Sequence, residues 1–327
     1  MMKRSISILF IGISFIFFTM SLGQAAEKPG DYPNKPIRLI VPFSAGGGTD
    51  LAARMLASVA EPFLGQPVIV EVKAGGGGAV GTAFAARAKP DGYTLYMATS
   101  GPVSVKPQMQ KVPYTRDSFI PILQVAKNPP VLISRANAPW KNIQELVNYA
   151  KKNPEKVKYG HPGVGSFLDL TGELALSKMG IKVTRVAFQG TGPAVASLIG
   201  GHIDLTVGYP GSVTPVIEGK KAFGIAVSDD ERAEELPNVP TFLESKYEVN
   251  LQAWRGVFAV KGTPPEIVKY LHDSFKKLIE SKDYKKLAKK IGETIRYRNG
   301  EDLKKYWNNE YAAVGQVLAS IGLKLKE

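Results

Sequence analysis

Short apolar runs in this chain repeatedly lead into uncharged, glycine-rich turns, and a helical pattern then follows. Residues 37–41 form one such run, residues 43–48 (FSAGGG) form its turn, and Leu51, Ala52 and Met55 recur with helical spacing. Buried strands that alternate with helices build βαβ units, in which the strands pair in parallel. Ligands of α/β proteins bind at the carboxyl ends of such strands. The pattern therefore predicts an α/β fold whose glycine-rich turns form a binding site.

The same alternation continues along most of the chain. It predicts strands at residues 37–41, 67–72, 93–98, 157–160, 183–188, 203–208, 222–227 and 254–260. It predicts helices at about residues 50–63, 79–88, 141–152, 167–179, 192–199 and 213–218. After the last strand, Thr263, Pro264 and Pro265 are typical of a helix start, and only helices are expected from there to residue 327.

Two consecutive prolines, Pro129 and Pro130, lie between two apolar runs. A stiff segment of this kind is typical of a crossing between domains, so a boundary is predicted near residue 126. The simplest arrangement that fits this order of elements has two α/β lobes. Residues 26–125 and 253–327 form the first lobe, and residues 126–252 form the second. A ligand cleft is expected between the lobes, and the C-terminal helices are candidates for bridging them.

The first 25 residues are predicted to be a signal peptide. Lys3 and Arg4 precede an apolar stretch, and small residues around Gly23 and Ala25 are typical of a cleavage site. The alternative is an uncleaved membrane anchor, which needs a longer apolar segment. The mature chain is therefore expected in the periplasm, as a free protein of about 300 residues that is large enough for two domains.

The composition narrows the classes of function. The chain has no cysteine, which excludes disulfides, thiol nucleophiles and lipid attachment at a cysteine. Its formal net charge is +13, and many of the lysines alternate with apolar residues between 275 and 292, as on a solvated helix face. The alternative is a positive field that attracts anionic ligands. An exported basic protein is not expected to bind nucleic acid.

Six turns share the glycine-rich and nearly uncharged composition. They are residues 43–50, 73–81, 98–104, 160–166, 188–194 and 208–214. Glycine lets backbone N–H groups approach a ligand closely, and a helix N-terminus adds N–H groups with a partial positive charge. Together these groups form a site for a carboxylate. The alternative is that the glycines serve turn geometry alone and that Thr49, Asp50 or Ser166 only caps a helix.

Enzyme and metal sites compete with this interpretation. Residues 76–81 satisfy G-x-G-x-x-G, but the following strand ends without the acidic residue that would hold a ribose. No glycine turn continues as Gly-Lys-Ser/Thr, which excludes a P-loop. Ser166 lies in GVGSF rather than in G-x-S-x-G, and His161 has no evident carboxylate partner in the sequence. With only three histidines, a histidine-rich metal site is not expected.

Several segments together resemble one known family. They are residues 32–57 (YPNKPIRLIVPFSAGGGTDLAARMLA), 64–101, 157–175 (VKYGHPGVGSFLDLTGELA), 190–208 (GTGPAVASLIGGHIDLTVG), 231–245 and 254–271 (WRGVFAVKGTPPEIVKYL). They resemble the substrate-binding receptors of tripartite tricarboxylate transporters, the Bug family, and they follow the family's order through essentially the whole mature chain. The resemblance implies a type II periplasmic binding protein, whose two lobes close on a small ligand, commonly an organic acid, and hand it to a membrane transporter.

The resemblance also implies the binding residues. In the family, the loop after the first strand holds one carboxylate through backbone groups and water, and loops of the second lobe hold the rest of the ligand. By position, the implied residues of the first lobe are Phe43, Ser44, Ala45, Gly46, Gly47, Thr99 and Ser100. The implied residues of the second lobe are Gly163, Gly165, Ser166, Gln189, Gly190, Thr191 and Asp204.

The chain departs from the family's usual pattern at three places. Residues 73–78 read KAGGGG where the family often has P-G-A-G-G, and residues 188–190 read Phe-Gln-Gly where it often has Tyr-Lys-Gly. His161 stands where the family often has serine. These differences affect the expected identity of the ligand rather than the fold. His161 either tunes affinity with pH or caps a loop.

Taken together, the sequence predicts a periplasmic receptor for a small mono- or dicarboxylate, with no cofactor, no metal and no reaction. The expected partners are the ligand and the membrane subunits of a tripartite tricarboxylate-type transporter, and a monomer is expected. Two alternatives stay open. One is a sensor that uses the same cleft, and the other is an α/β enzyme on the same scaffold that would depend on Ser166 or His161.

Overall fold

Two β-sheets with helices on both faces form the framework of the protein. The computed structural model describes residues 28–161, 163, 165–188, 190–320 and 322–324. The predicted signal peptide, residues 1–25, and Gln189 lie outside the described residues. In chain order the strands are β1 Ile37–Val41, β2 Val68–Val72, β3 Thr94–Thr99, β4 Phe119–Asn128, β5 Val131–Arg135, β6 Lys158–His161, β7 Thr184–Ala187, β8 Leu205–Gly208, β9 Ala222–Val227, β10 Ala253–Val260 and β11 Thr294–Asn299.

The helices connect these strands. They are α1 Gly48–Ser58, α2 Glu61–Leu64, α3 Ala79–Ala86, α4 Lys106–Met109, α5 Ile143–Lys152, α6 Phe167–Met179, α7 Thr191–Ile199, α8 Pro210–Glu218, α9 Pro265–Glu280, α10 Lys282–Lys290 and α11 Gly300–Ser320. Shorter turns lie between them. Gly76–Gly78 and Arg116–Ser118 form 3₁₀ turns, and Gly101–Val105 forms a π-helical turn directly before α4.

The first sheet has the strand order β11-β4-β10-β3-β1-β2. β1 pairs in parallel with β2 and β3, whereas β10 pairs antiparallel with β3 and β4, and β11 pairs antiparallel with β4. One face of the sheet packs on α1 and α9 through buried residues such as Leu56 and Phe275. The other face packs on α11 through Tyr96 and Trp307. This sheet and its helices form the first lobe.

The second sheet has the strand order β7-β6-β8-β5-β9. β6 pairs in parallel with β7 and β8, and β5 pairs antiparallel with β8 and β9. α5 and α6 cover one face with residues such as Leu146 and Leu170, and α7 and α8 cover the other with Leu198 and Val213. The two faces are buried, so the second sheet also forms the centre of a lobe of its own.

The chain passes between the lobes at several places. It leaves the first sheet after Asn128, enters the second at Val131 and returns to the first at Ala253. α11 also extends over both lobes. Its Leu303 and Trp307 belong to a core cluster of the first lobe, whereas Val314 and Leu318 belong to the main cluster of the second.

The predicted two-lobe α/β fold is confirmed, with two differences. Both sheets are mixed rather than mostly parallel, because the strands next to the crossings run antiparallel to their neighbours. Only helices were expected after β10, yet Thr294–Asn299 forms the edge strand β11. Its Arg296 and Arg298 make the segment polar, and charged side chains of this kind protect a sheet edge from further pairing.

The long helix predicted at residues 50–63 is divided in two. α1 ends at Ser58, and α2 begins at Glu61. Pro62 lies in the first turn of α2, where a missing N–H group costs nothing, and Gly65 ends the helix with a left-handed φ of 69°. The break lets the chain turn back toward β2.

Local chemistry fixes both ends of α6, the helix that follows β6. The Ser166 hydroxyl accepts the N–H of Asp169 at 3.1 Å at its start, and Gly180 ends it with a φ of 62°. Gly172 lies inside the helix against the fully buried ring of Tyr159. A Cβ at position 172 would lie 1.8 Å from the Tyr159 hydroxyl oxygen. The absence of a side chain therefore lets α6 lie close to β6.

We expect Gly172→Ala to lower the free energy of unfolding by about 1–3 kcal/mol, because the methyl group displaces Tyr159. Gly192→Ala is the matched control in α7, where an added Cβ meets no atom within 4 Å. It should leave stability unchanged or raise it by up to about 1 kcal/mol, because alanine is the better helix former. Urea denaturation measures both variants. Equal stability of Gly172→Ala and the wild type would contradict the close packing.

Candidate ligand-binding site

Most of the residues implied for ligand binding lie at the carboxyl ends of parallel strands. β1 and β3 are neighbours in parallel, so residues 43–47 and residues 99–100 lie at the same edge of the first sheet. β6 and β7 are also parallel neighbours, which brings Gly163, Gly165 and Ser166 and residues 190–191 to one edge of the second sheet. Each lobe therefore offers two of the predicted segments on one side.

The two edges approach each other. A Cβ on Gly101, just after β3, would lie 3.9 Å from the backbone nitrogen of Phe167 at the start of α6. A Cβ on Gly165 would lie 2.9 Å from the sulfur of Met109 and 3.2 Å from Nζ of Lys106, both on α4. Because Gly101, Lys106 and Met109 connect β3 to β4 in the first lobe, these contacts run between the lobes.

In the first lobe, a buried aspartate holds the turn after β1. The N–H of Gly46 donates to Oδ2 of Asp50 at 2.8 Å, and Asp50 is only 1% exposed. Nε of Arg54 donates to the same oxygen at 3.0 Å. Gly46 has a φ of 78°, a conformation that favours glycine, and an added Cβ there would meet no atom within 4 Å. Asp50 therefore holds the backbone of the turn, while the space next to the Cα atom of Gly46 is open.

The second lobe repeats this arrangement after β6. The N–H of Gly165 donates to Oδ2 of Asp169 at 2.8 Å, and Asp169 is also 1% exposed. Nη2 of Arg185 donates to Oδ1 of Asp169 at 2.9 Å. In both lobes the glycine precedes the aspartate by four residues, and the aspartate lies in the first turn of a helix. We call these two structures the paired corners: residues 43–50 in the first lobe, and residues 161, 163 and 165–169 in the second.

The second corner carries a larger charged cluster than the first. Nδ1 of His161 lies 3.4 Å from Oδ1 of Asp169, and Nε of Arg185 lies 2.9 Å from Oε1 of Glu173. Burial raises the pKa of Glu173, and the guanidinium of Arg185 opposes this shift. His161, for which the sequence indicated no carboxylate partner, thus lies next to the Asp169 carboxylate, although its Nδ1 forms no hydrogen bond with it. The fold brings residues 161 and 169 together across a turn.

Lys106 is a functional candidate that the sequence reasoning missed. It begins α4, is 9% exposed, and its side chain passes between the turn after β2 and the second corner. A Cβ on Gly77 would lie 2.5 Å from its Cε, and one on Gly165 would lie 3.2 Å from its Nζ. Burial lowers the pKa of Lys106, and the Asp169 carboxylate opposes this shift. The available signal was a single lysine directly after the uncharged segment 99–105.

Arg255 is a second cation that was not anticipated. It lies on β10 opposite Thr99, and its Nη2 would be 3.0 Å from a Cβ on Gly48, the first residue of α1. Arg255 is 5% exposed and pairs with the buried carboxylate of Glu293. Burial raises the pKa of Glu293, and Arg255 opposes this shift. The pair supports the start of α1 from the side of the central strands.

Ser100 lies in a buried polar network behind the first corner. It is fully buried, and its hydroxyl accepts the backbone N–H of Trp254 at 3.3 Å. Glu310 on α11 belongs to the same network, because its oxygens accept the Ser104 hydroxyl at 2.5 Å and the Trp254 indole N–H at 3.0 Å. Burial raises the pKa of Glu310 to about 7, and its hydrogen bonds limit the shift. The Ser100 side chain thus supports the framework of the site.

Asp204 is not brought to the other predicted site residues. It precedes β8, and the parallel pairing of β6 with β8 places it beside Lys158, at the amino ends of the strands. Its carboxylate accepts Nε of Arg135 at 2.6 Å and the backbone N–H of Lys158 at 2.8 Å. The structure therefore gives Asp204 a role in joining β5, β6 and β8 at the edge opposite to the corners.

Two concave surfaces lie outside the paired corners. A groove of about 980 Å³ runs along α3 on the outer side of the first lobe, with Arg38, Val80 and Phe84 in its wall. A polar pocket of about 290 Å³ lies next to the crossings between the lobes and includes Lys127 and Asp229. Among the described residues that line these two surfaces, none belongs to the implied binding set.

Among the described residues, no three His, Cys, Asp or Glu side chains are grouped so that they would hold a metal ion. In the same part of the chain, every helix is too short or too polar to cross a membrane.

We expect Asp50→Ala and Asp169→Ala each to lower the free energy of unfolding by about 2–4 kcal/mol, because a glycine N–H and an arginine lose their buried acceptor. Arg54→Ala is the control for the first corner. Its side chain is 53% exposed, so its removal should cost less than about 1 kcal/mol. Chemical denaturation tests all three variants, and an Asp50→Ala cost as small as that of Arg54→Ala would refute the anchoring role.

We expect Glu310 to make stability depend on pH. Its pKa of about 7 in the folded protein exceeds the usual value of 4.5, so the folded state holds a proton that the unfolded state has lost between these pH values. Stability should therefore fall as the pH rises through this window, by roughly 2 kcal/mol between pH 5 and pH 8. Glu310→Gln should remove this part of the slope. Denaturation curves of both proteins at several pH values provide the test, and parallel pH profiles would contradict it.

Comparison with known proteins agrees with this architecture. The family described as the tripartite tricarboxylate transporter family receptor matches residues 52–323. The solved structure of the periplasmic binding protein BugD is 33% identical with a TM-score of 0.80, and the alignment covers 90% of this chain and 100% of that one.

Two solved structures from Rhodopseudomonas palustris contain carboxylates. One protein, solved with adipate, is 26% identical with a TM-score of 0.81, and the alignment covers 89% of this chain and 99% of that one. MatC, solved with bound malate, is 27% identical with a TM-score of 0.78, and the alignment covers 88% of this chain and 100% of that one. With a family match over most of its length and two lobes of this architecture, the chain belongs to the tripartite tricarboxylate transporter receptor family, whose members are solute-binding proteins.

Proposed function

We propose that this protein is a periplasmic receptor that binds a small organic acid between its lobes and delivers it to the membrane subunits of a tripartite tricarboxylate-type transporter. Binding would occur without turnover, in keeping with a family and a fold of solute-binding proteins. Neighbours that were solved with adipate and with malate support a carboxylate ligand, and a mono- or dicarboxylate is the proposed class. Export through a signal peptide of residues 1–25 and function as a monomer are part of the proposal.

The observation that carries the proposal is the pair of corners. Gly46 and Gly165 each lie directly before a helix N-terminus, and each is held by a buried aspartate. The first turn of a helix has N–H groups without a partner inside the helix, and their partial positive charge favours an anion. Two such corners on facing lobes suit a ligand that carries carboxylate groups and is held by backbone donors.

The binding residues remain a proposal for each lobe. In the first lobe we propose the backbone and side chains of residues 43–47 together with Thr99, while Ser100 supports them from behind. In the second lobe we propose Gly163, residues 165–166 and residues 189–191. Asp204 is omitted from this set, because Arg135 and Lys158 bind it at the other end of the sheet.

The lobe boundaries near residues 126 and 253 are the proposed axis of closure. Both lie where the chain changes sheets, and the pocket with Lys127 and Asp229 lies beside them. Nζ of Lys127 donates to Oδ2 of Asp229 at 3.1 Å, which ties the end of β4 to the segment after β9. We propose that the ligand stabilises the arrangement in which the paired corners face each other.

The experiment is a thermal-shift and calorimetric screen of the full mature protein. We expect adipate, malate or a related acid to raise the melting temperature in a concentration-dependent manner, because a ligand that binds only the folded state stabilises it. Hexane-1,6-diol, which has the length of adipate without its charges, should give no shift. Mass spectrometry after incubation should recover the ligand unchanged. A shift with neutral or cationic compounds alone would exclude the carboxylate class, and product formation would exclude a receptor without turnover.

Gly46→Ala provides the variant for this screen. Gly46 and Gly201 both have a left-handed φ, of 78° and 74°, and a Cβ on either meets no atom within 4 Å. Alanine should therefore cost about 1 kcal/mol of stability at each position. Only Gly46→Ala should also weaken carboxylate binding, by at least about tenfold, because its methyl group would occupy open space at the first corner. Equal affinities of the two variants would remove the first corner from the site.

A further inference from the structure

The outer side of α10 is a strongly basic surface. The helix carries a single acidic residue, Asp283, and five lysines that are all exposed. The lysines recur at intervals of three and four residues, so they lie along one side of the helix. We call this side the lysine face, and it consists of Lys282, Lys285, Lys286, Lys289 and Lys290.

The packing of α10 fixes the direction of the lysine face. Tyr284 and Ala288, on the opposite side of the helix, are buried in a core cluster of the first lobe that also contains Leu56 and Phe275. The Ser281 hydroxyl accepts the N–H of Tyr284 at 3.2 Å and caps the start of the helix. A rotation of α10 about its axis would expose the tyrosine ring, so the five lysines are held toward solvent as a group.

No described carboxylate forms an ion pair with the lysine face. The ion pairs found in this part of the first lobe join Lys269 to Asp273 and Lys305 to Asp302 instead. Lysines that are three or four residues apart in a helix repel one another. Lys282 also lies in the first turn, where the helix dipole disfavours a positive charge. An anionic partner outside the chain would relieve these unfavourable interactions.

The composition of the lysine face favours a membrane surface over a protein as this partner. Protein interfaces are enriched in arginine and aromatic residues and are depleted in lysine. The described helix α10 contains no arginine, and none of its large apolar side chains is exposed. Clusters of basic residues are attracted to bilayers that contain anionic lipids. A flexible, hydrated ammonium suits headgroup phosphates, because these have no fixed arrangement that a rigid guanidinium would match.

We propose that the lysine face of α10 binds anionic phospholipid headgroups and holds the protein at the surface of a bilayer. This contact goes beyond the proposed binding of an organic acid and does not depend on it. It would keep a receptor near the membrane subunits that it supplies. Each lysine should raise the partition coefficient onto an anionic bilayer about fivefold at low salt.

Cosedimentation with lipid vesicles tests this inference. Residues 1–25 are left out of the protein, because their apolar stretch has an affinity for bilayers of its own. Vesicles made of equal parts of phosphatidylglycerol and phosphatidylcholine should bind the protein at about 20 mM salt, and pure phosphatidylcholine vesicles should not. Salt at about 500 mM should release the protein, because it screens the attraction between exposed charges.

The test variant combines Lys285→Gln, Lys286→Gln and Lys289→Gln. Glutamine removes the three charges and has a helix propensity close to that of lysine. We expect the partition coefficient onto phosphatidylglycerol vesicles to fall by about 100-fold. Circular dichroism checks the fold of the variant. If it does not fold, Lys282→Gln combined with Lys290→Gln replaces it, with an expected loss of about 25-fold.

The matched control combines Lys151→Gln, Lys152→Gln and Lys156→Gln, at three exposed lysines at and just after the end of α5 in the second lobe. It lowers the net charge by the same amount, and vesicle binding should change by less than about threefold. Equal losses in the two triple variants would reduce the effect to net charge and overturn the role of α10.

The remaining outcomes separate the membrane from other partners. No binding to phosphatidylglycerol vesicles at low salt, or equal binding to phosphatidylcholine, would overturn the membrane contact and leave the receptor function in place. A wild type that binds soluble poly-L-glutamate but no vesicles would also overturn it, because its partner would then be an acidic polypeptide. Binding that phosphatidylglycerol and the lysine face both control would support the proposal.

Discussion

The hydrogen bond from a glycine N–H to a buried aspartate four residues later determines the shape of each corner. It fixes the turn after β1 through Gly46 and Asp50, and the turn after β6 through Gly165 and Asp169. Each aspartate lies in the first turn of a helix, where the helix dipole stabilises its charge. In each turn the glycine N–H thus binds the protein's own aspartate. This bond fixes the conformation of the rest of the turn in the absence of a ligand. Preorganised donors of this kind lose little entropy on binding.

The exposed and the buried cations of this protein differ in their surroundings. The formal charge of +13 reflects 42 lysines and arginines against 29 aspartates and glutamates, and α9 and α10 carry lysines on their exposed faces. Water and salt screen these charges, so they contribute little to the electrostatic potential in the cleft. Two cations beside the glycine-rich turns are nearly buried, namely Lys106 on α4 and Arg255 on the central strand β10. Screening is weak at buried positions.

Much of the framework was predictable from the sequence because strands and helices carry periodic patterns. Strand 37–41 and helix 167–179 were predicted with the observed bounds. β11 was missed because an edge strand with Arg296 and Arg298 lacks an apolar period. The division of residues 50–63 into two helices depended on turn chemistry around Ala60 that the helical spacing concealed.

The site was predictable only in part, because spacing along a chain does not fix where side chains meet. The glycine-rich turns in the sequence predicted both corners, and both corners lie at the carboxyl ends of strands, as expected. The position of Asp204 follows from the register of β6 and β8, and the position of Ser100 follows from its burial against β10, neither of which a sequence pattern contains. Lys106 comes between the lobes only through the path of the segment from β3 to β4. The positions of the polar side chains therefore depend on long-range packing, whereas the positions of the turns follow from the local sequence pattern.

α11 gives the two lobes a shared mechanical element. It has 21 residues, which makes it about 30 Å long, and its two halves are anchored in different cores by Trp307 and by Leu318. A pair of flexible strands alone would permit wide rotation. A helix that packs on both lobes permits rotation of the lobes only where its side chains move to new neighbours. Packed contacts of this kind switch between discrete arrangements. The packing of α11 on both cores therefore restricts rotation of one lobe against the other.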